Sequence, residues 1–365
     1  ESGSVDTEKI PNVILISGKI SDGSNALGYN QTFTGTTDGA IPRISSVSLN
    51  AANSELTVTF AEDVYNTNGG SGDLEVADFA LSKSGGVATV NATPGSISSS
   101  DPRVWVLGVT ITGTADGNEL LTVVPAAGNA IYDAVGNAAS TTQSNNTASL
   151  TEKVLPTISS VSLNAANSEL TVTFSENVYN TNGGSGDLEV ADFALSISGG
   201  AAGVNATPGS ITKTAQNIWV LGVTITGTAD GDEVLTVVPA AGNAIYDAVG
   251  NAASTTQSNN TASLTEKVLP TISSVSLNAA NSELTVTFSE NVYNTNGGSG
   301  DLEVADFALS KSGGVATVNA TPGSISSSDP RVWVLGVTIT GTADGNELLT
   351  VVPAAGNAIY DAVGN

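Results

Sequence analysis

The stretch Ile44-Ser-Ser-Val-Ser-Leu-Asn-Ala-Ala-Asn-Ser-Glu-Leu-Thr-Val-Thr-Phe60 decides the fold, because the same residues return in the same order at Ile158 and at Ile272. Each step is 114 residues. Solenoid repeats have periods of about 20 to 50 residues, whereas a self-contained β-sandwich domain has about 100. The period therefore predicts a tandem array of separately folded domains.

The period divides the chain into a leading segment and three repeats. The predicted segments are 1–40 (the tail of a more divergent preceding domain), 41–154 (repeat 1), 155–268 (repeat 2) and 269–365 (repeat 3). Short linkers that end in proline, Thr151-Glu-Lys-Val-Leu-Pro156 and its copy 114 residues later, join them, and proline stiffens such linkers. Repeat 3 stops before the residues that form the predicted last strand of the other two. We therefore expect the array to continue, or another chain to supply that strand.

Alternation of apolar and polar residues marks the strands of each repeat. In repeat 1, Leu56, Val58 and Phe60 would face one side of a strand and the intervening threonines the other. Asn, Gly, Asp and Pro separate such runs, as they do in turns. The predicted strands are 44–50, 54–61, 77–83, 87–92, 104–112, 119–125 and 139–149. Seven short strands without a helical period predict an all-β fold of tandem Ig-like seven-stranded β-sandwiches.

Each repeat contains one tryptophan, at Trp105, Trp219 and Trp333. Trp105 is in phase with Leu107 and Val109, so we interpret the three rings as core residues. The alternative is an exposed ring that stacks on a sugar. That alternative would make the chain a multivalent glycan- or surface-binding array.

The charge balance is strongly acidic, with 35 acidic against 10 basic residues and a net charge of -25. Binding to nucleic acid needs clustered Lys and Arg, so we expect no nucleic-acid partner. No stretch approaches the roughly 20 consecutive apolar residues of a membrane helix, and we expect no membrane insertion. Such a surface attracts cations instead.

The sequence has no cysteine and no histidine. It therefore lacks disulfides, thiolate metal sites and the commonest general base and transition-metal ligand. Paired carboxylates could suggest glycoside hydrolysis, but that chemistry needs a cleft with aromatic walls, and aromatic residues make up only 5% of the chain. We predict no catalytic residues, no site for an organic cofactor and no enzymatic activity.

Acidic residues gather in loops that an Ig topology places at the pole where the chain enters each repeat. For repeat 2 these are Glu176 after the second strand, Asp247 and Asn251 before the last, and Glu152 in the incoming linker. Carboxylate, amide and carbonyl oxygens are the ligands that Ca²⁺ prefers. This pattern predicts a calcium site that fixes the angle between neighbouring repeats. The alternative is a solvated acidic surface whose members cap local turns.

Equivalent positions in the three repeats complete the set. The predicted calcium ligands are Glu62, Asp73, Asp78, Asp133, Asn137, Glu152, Glu176, Asp187, Asp192, Asp247, Asn251, Glu266, Glu290, Asp301, Asp306 and Asp361.

A set of short motifs resembles a known type of domain. They are Thr57-Val-Thr-Phe60, Glu62, Val64, Asp73-Leu74, Asp78-Phe79 and Ile131-Tyr-Asp-Ala-Val-Gly-Asn137. Together they resemble the bacterial Ig-like tandem repeats of large cell-surface and gliding-motility adhesins, and the resemblance extends over all three repeats.

That resemblance implies a structural repeat region, a calcium-stiffened spacer or stalk, located outside the cell on its surface or in a secreted filament. The implied partners are neighbouring repeats or other copies of the chain, with cell-surface glycans or abiotic surfaces bound through regions outside this sequence. A subunit of a strand-exchanged polymeric fibre remains an open alternative.

Overall fold

In a computed structural model of the chain, the described residues are 38–365 and two short strands before them, β1 (Val13–Ile14) and β2 (Thr32–Phe33), which pair antiparallel. The remainder of the predicted preceding domain, 1–40, lies outside the described residues. By their internal contacts the residues form two compact units, 1–155 and 156–365. Throughout the described part the chain is all-β, and none of its helices could span a membrane.

Repeat 1 contains nine short strands. They are β3 (Ile44–Leu49), β4 (Glu55–Phe60), β5 (Phe79–Ser84), β6 (Thr89–Val90), β7 (Ile97–Asp101), β8 (Val104–Gly108), β9 (Ile111–Thr112), β10 (Leu120–Pro125) and β11 (Thr147–Ser149). Helical geometry is limited, among the described residues, to one 3₁₀ turn in each repeat, at Val76–Asp78, Val190–Asp192 and Val304–Asp306.

Repeats 2 and 3 follow the same order. The strands of repeat 2 are β12 (Ile158–Leu163), β13 (Glu169–Phe174), β14 (Phe193–Ser198), β15 (Gly203–Val204), β16 (Ser210–Ala215), β17 (Ile218–Gly222), β18 (Ile225–Thr226), β19 (Val234–Pro239) and β20 (Thr261–Ser263). Those of repeat 3 are β21 (Ile272–Leu277), β22 (Glu283–Phe288), β23 (Phe307–Ser312), β24 (Thr317–Val318), β25 (Ile325–Asp329), β26 (Val332–Gly336), β27 (Ile339–Thr340) and β28 (Leu348–Pro353).

Small antiparallel sheets enclose one core in each repeat. In repeat 1, a four-stranded sheet has the order β3-β4-β8-β7, a three-stranded sheet the order β11-β10-β5, and β6 pairs with β9. The core lies between the two larger sheets, because Phe60 of β4 packs against Phe79 of β5 with their ring centroids 6.4 Å apart. The repeats are therefore sandwich-like, with a separate buried cluster in each.

The tryptophans are buried, as their phase in the sequence predicts. Trp105, Trp219 and Trp333 are only 4%, 1% and 3% exposed. The indole N–H of Trp105 donates to the carbonyl oxygen of Pro102 at 3.0 Å, so its one polar atom is satisfied. The rings contribute to the core and present no face to a ligand.

The strands differ from the predicted ones in three regions, and in one of them the predicted strand 104–112 is divided into β8 and β9, which belong to different sheets. Strand β7 was not predicted, because it is a serine-rich edge strand with one apolar residue and shows no alternation. The predicted strand 139–149 contracts to β11, because side chains take the hydrogen bonds of its first part. The amide of Gln143 accepts from the N–H of Ile44 at 2.9 Å, and Asn146 donates to the carbonyl of Val123 at 2.8 Å.

Candidate metal centre

Two loops of each repeat lie side by side at one end of the sandwich. In repeat 1, Tyr65 follows β4 and Tyr132 follows β10, and their backbones exchange two hydrogen bonds of 2.8 Å. The loops also touch at Gly70, where an added Cβ would lie 2.7 Å from the carbonyl oxygen of Ala134. The predicted adjacency of these loops is confirmed.

The second loop is folded around a buried aspartate. In the sequence Asp-Ala-Val-Gly-Asn, Oδ1 of Asp133 accepts the N–H groups of Val135, Gly136 and Asn137 at 2.9, 2.6 and 2.8 Å. Its Oδ2 accepts the amide of Asn137 at 2.7 Å. Asp247 and Asp361 repeat this arrangement, and all three aspartates are at most 1% exposed. Such bonds hold each carboxylate in one orientation.

Three carboxylates converge at this loop in repeats 1 and 3. The groups are Asp38, Glu62 and Asp133 at the loop of repeat 1, and Glu266, Glu290 and Asp361 at the loop of repeat 3; Asp38 and Glu266 come from the segments that precede these repeats, and the oxygens of each group lie within 4.8 Å of one another. Five of these six residues were predicted. Asp38 was missed because it lies in the divergent segment before repeat 1, yet it precedes Glu152 by the 114-residue period and could have been found from that spacing.

An asparagine amide lies among the carboxylates of repeat 3. The Nδ2 atom of Asn365 is 3.0 Å from the carbonyl oxygen of Glu266, 2.6 Å from Oε2 of that glutamate and 2.9 Å from Oδ2 of Asp361. A single NH₂ group thus faces three oxygens. Rotation of the amide by half a turn would replace the donor with a further oxygen ligand.

Burial and mutual repulsion perturb the carboxylates of repeat 3. Burial raises the pKa of Glu266, and the neighbouring Asp361 raises it further. Burial and the charge of Asp361 likewise raise the pKa of Glu290. Although burial opposes its ionisation, hydrogen bonds from Asn365 and its neighbours lower the pKa of Asp361. The group therefore concentrates negative charge in a partly desolvated place, which a cation would offset.

The remaining predicted ligands lie outside these two carboxylate groups. Asp73, Asp187 and Asp301 are exposed, and Asp187 pairs with Lys213 at 2.6 Å. Asp78, Asp192 and Asp306 instead cap the 3₁₀ turns. Oδ2 of Asp78, for example, accepts the N–H of Glu75 at 2.7 Å.

The predicted calcium ligands for the entrance of repeat 2 are divided between the two compact units, with Glu152 in the first and Glu176, Asp247 and Asn251 in the second. Asp247 and Asn251 form the same buried turn as their equivalents, with the amide nitrogen 2.7 Å from Oδ2 of Asp247. Glu176 is half-buried. In the first unit, Glu152 accepts the N–H of Val154. Glu152, Glu176, Asp247 and Asn251 therefore remain predicted calcium ligands.

The linker between repeats 2 and 3 is tied to repeat 2. Leu264, which is 4% exposed, belongs to the core of repeat 2, and its N–H donates to the carbonyl of Glu233 at 3.0 Å. Asn167 exchanges two side-chain hydrogen bonds with the backbone of Thr265, at 2.6 and 2.8 Å. The N–H of Lys267 donates to Ala229 at 2.8 Å. Glu266 therefore leaves repeat 2 from a fixed backbone and reaches the carboxylates of repeat 3.

A second set of buried acids was missed in the sequence. Glu233 is fully buried, and its carboxylate accepts the N–H groups of Ala201, Ala202, Asp230 and Gly231 at 3.0, 2.8, 3.1 and 3.0 Å. Burial opposes its ionisation, but these donors lower its pKa. This carboxylate joins the loop at Ala201 to the loop at Asp230 through hydrogen bonds. The sequence feature that could have revealed this glutamate is the motif Ala-Asp-Gly-Asx-Glu, which recurs in every repeat.

No protein-family model matches the chain, and no curated protein matches it. Function is therefore inferred from the residues themselves. The donors at the carboxylate groups are all oxygens, from carboxylates, a backbone carbonyl and a rotatable amide. That donor set fits a hard cation such as Ca²⁺, which binds about 6 to 8 oxygen ligands in proteins, some of them from water. In repeat 3 the ion would be held by Glu266, Glu290, Asp361 and Asn365.

Proposed function

We propose that this chain is part of the structural repeat region of an extracellular bacterial adhesin or surface filament, in which Ig-like domains form a spacer stiffened by calcium. One observation carries the proposal. The linker that leaves repeat 2 is hydrogen-bonded to that repeat up to Lys267, while Glu266 within it meets Glu290 and Asp361 of repeat 3. A joint fixed on both sides transmits orientation from one domain to the next.

The length of free linker supports a stiff joint. Only Val268 and Leu269 lie between the last bond to repeat 2, at Lys267, and Pro270 at the start of repeat 3. Two residues with a following proline leave few backbone conformations. Calcium bound by Glu266, Glu290 and Asp361 would neutralise the repulsion between their carboxylates. It would also reduce the remaining conformational freedom of the linker. The burial of the tryptophans gives no support to the glycan-binding alternative.

Stiffness is measured by the distance between spin labels on repeats 2 and 3. Because the chain has no cysteine, Thr212→Cys and Ser326→Cys provide two specific, exposed and equivalent attachment points. We expect a narrow distance distribution by double electron–electron resonance, narrower with Ca²⁺ than with EDTA. A broad distribution in both conditions would contradict the spacer.

Calcium binding is measured separately by titration calorimetry and thermal unfolding. Free Ca²⁺ at about 100 times its dissociation constant would stabilise the folded state by about 2.7 kcal/mol. Glu290→Gln should remove most of this gain. Asp301→Asn, which removes one exposed acid of the same repeat, should retain it. Equal Ca²⁺ responses of the two variants, or none in the wild type, would refute the site. The extracellular location is tested by antibody labelling of intact cells.

A further inference from the structure

Each repeat contains one asparagine that is followed directly by glycine. The three pairs are Asn68-Gly69, Asn182-Gly183 and Asn296-Gly297, and the sequence has no other Asn-Gly pair. The backbone nitrogen that follows an asparagine can attack the carbon of the side-chain amide. Glycine obstructs this attack least, because it has no Cβ and the widest range of backbone conformations. The repeats therefore carry the same chemically sensitive pair at the same position.

The pair lies at the exposed tip of the loop that follows β4 or its equivalent. In repeat 1, Thr67 and Ser71 form a bridge below the tip, and both Asn68 and Gly69 are exposed. Gly69 has a φ of +112°, and an added Cβ would have no atom within 4 Å. Its N–H donates no hydrogen bond within the described part of the chain. The attacking nitrogen is therefore free, and the space around it allows it to approach the amide.

The side chain of this asparagine lies against the loop that surrounds the buried aspartate, residues 247–251 in repeat 2, which we call the aspartate loop. An added Cβ on Gly250 would overlap Oδ1 of Asn182. The N–H of Gly250 in turn donates to Oδ1 of Asp247 at 2.6 Å. The other two repeats show the same contact and the same hydrogen bond. A charge formed at this amide would therefore lie beside a residue that binds the buried carboxylate.

We propose that Asn68, Asn182 and Asn296 are sites of spontaneous deamidation, which adds one carboxylate beside the aspartate loop of each repeat. The backbone nitrogen of the following glycine forms a bond to Cγ of the asparagine. The bond from Cγ to Nδ2 breaks, and the amide nitrogen leaves as ammonia with the proton that the glycine nitrogen loses. Water then opens the resulting succinimide ring at either carbonyl, which gives aspartate or isoaspartate. No oxidant or reductant takes part.

Both products alter the end of the repeat that carries the aspartate loop. Each replaces a neutral amide with a carboxylate, and in repeat 2 the new charge lies on the same side as Asp247, which it repels. The isoaspartate product also lengthens the backbone of the tip by one carbon. The reaction needs no cation, so it is independent of the proposed calcium joint.

The test incubates the full chain with EDTA in mildly alkaline water that is labelled with heavy oxygen, followed by trypsin and mass spectrometry. Cleavage after Lys and Arg separates the three asparagines into the peptides 44–83, 154–213 and 268–311. We expect one heavy oxygen at each Asn-Gly pair, with both aspartate and isoaspartate as products. Asn129 is exposed and precedes alanine. This internal control should react at least about tenfold more slowly, because the Cβ of alanine obstructs the attack.

Variants of repeat 2 test the reaction and the position of the new charge. Asn182→Gln should abolish the label in peptide 154–213 alone, because its longer side chain would have to close a larger ring. Asn182→Asp reproduces one product and should accelerate hydrogen exchange of repeat 2 more than Asn259→Asp does, at an exposed position outside both loops. Labelling at Asn-Gly no faster than at Asn129, aspartate as the sole product, or equal effects of the two aspartate variants would overturn the proposal.

Discussion

Replacement of Leu264 by alanine tests whether the segment that leads into the linker is part of the fold of repeat 2. Leu264 is 4% exposed and packs in the core. Leucine-to-alanine changes at such positions cost about 2 to 5 kcal/mol, through lost transfer free energy and the cavity left behind. Because β20 is a three-residue edge strand that can relax, we expect a cost near the lower part of that range, about 3 kcal/mol.

The change is measured by native-state hydrogen exchange of the full chain with mass spectrometry. Peptides that cover Ser210–Gly222 report on repeat 2 alone, because this stretch differs from its equivalents. A cost of 3 kcal/mol corresponds to roughly a hundredfold faster exchange through global opening of repeat 2, since each 1.36 kcal/mol multiplies the opening constant by about ten. Peptides of repeat 1 should not change.

The matched control is Leu269→Ala in the same linker, where the leucine is 66% exposed. This change should alter stability by no more than about 0.5 kcal/mol. If Leu264→Ala accelerates exchange no more than the control does, the segment 261–267 is not part of the core. The proposal that the linker is fixed to repeat 2 would then lose its basis.

Two further predictions concern the carboxylate of Glu347 and the paired loops. Backbone donors lower the pKa of Glu347 from its ordinary 4.5 to about 2, so its stabilisation is complete above pH 4.5 and is lost as the pH falls towards 2. Acid titration of repeat 3 by hydrogen exchange should show this loss, and Glu347→Gln should flatten it, whereas an unchanged profile would exclude the role. Gly184→Ala should lower repeat 2 stability by about 1 to 3 kcal/mol in thermal unfolding, because φ is +75° and a Cβ would lie 2.7 Å from the carbonyl oxygen of Ala248. Gly242→Ala, with open space around it, should not, and equal effects would contradict the strain.

Much of the local structure followed from residue patterns. The alternation around Leu56 and Val58 predicted a strand with buried positions in phase, and both residues are at most 1% exposed. Strand β7 escaped detection because it is recognised only through its partner β8. The carboxylate of Glu233 escaped for a related reason. Its donors come from loops about 30 residues apart, and no local pattern distinguishes it from an exposed glutamate.

The predicted calcium ligands likewise followed only in part from the sequence. The sequence predicted Glu62 and Asp133 as ligands of one calcium site. Both are acidic, and the direction of neighbouring strands places their loops at the same end of the sandwich. Asp73 and Asp78 satisfied the same criterion. Only the tertiary structure separates them, since the loop after β4 is long enough to place its later acids at a 3₁₀ turn and in solvent.

By itself, the sequence determined the period, the three repeats, the all-β class and the burial of one tryptophan in each, because these depend on local alternation and on identity between copies. The tertiary structure alone decided which acids converge and that Leu264 anchors a linker. Those features depend on contacts between residues distant in the chain. Backbone geometry and packing bring such residues together, and a one-dimensional pattern does not record them.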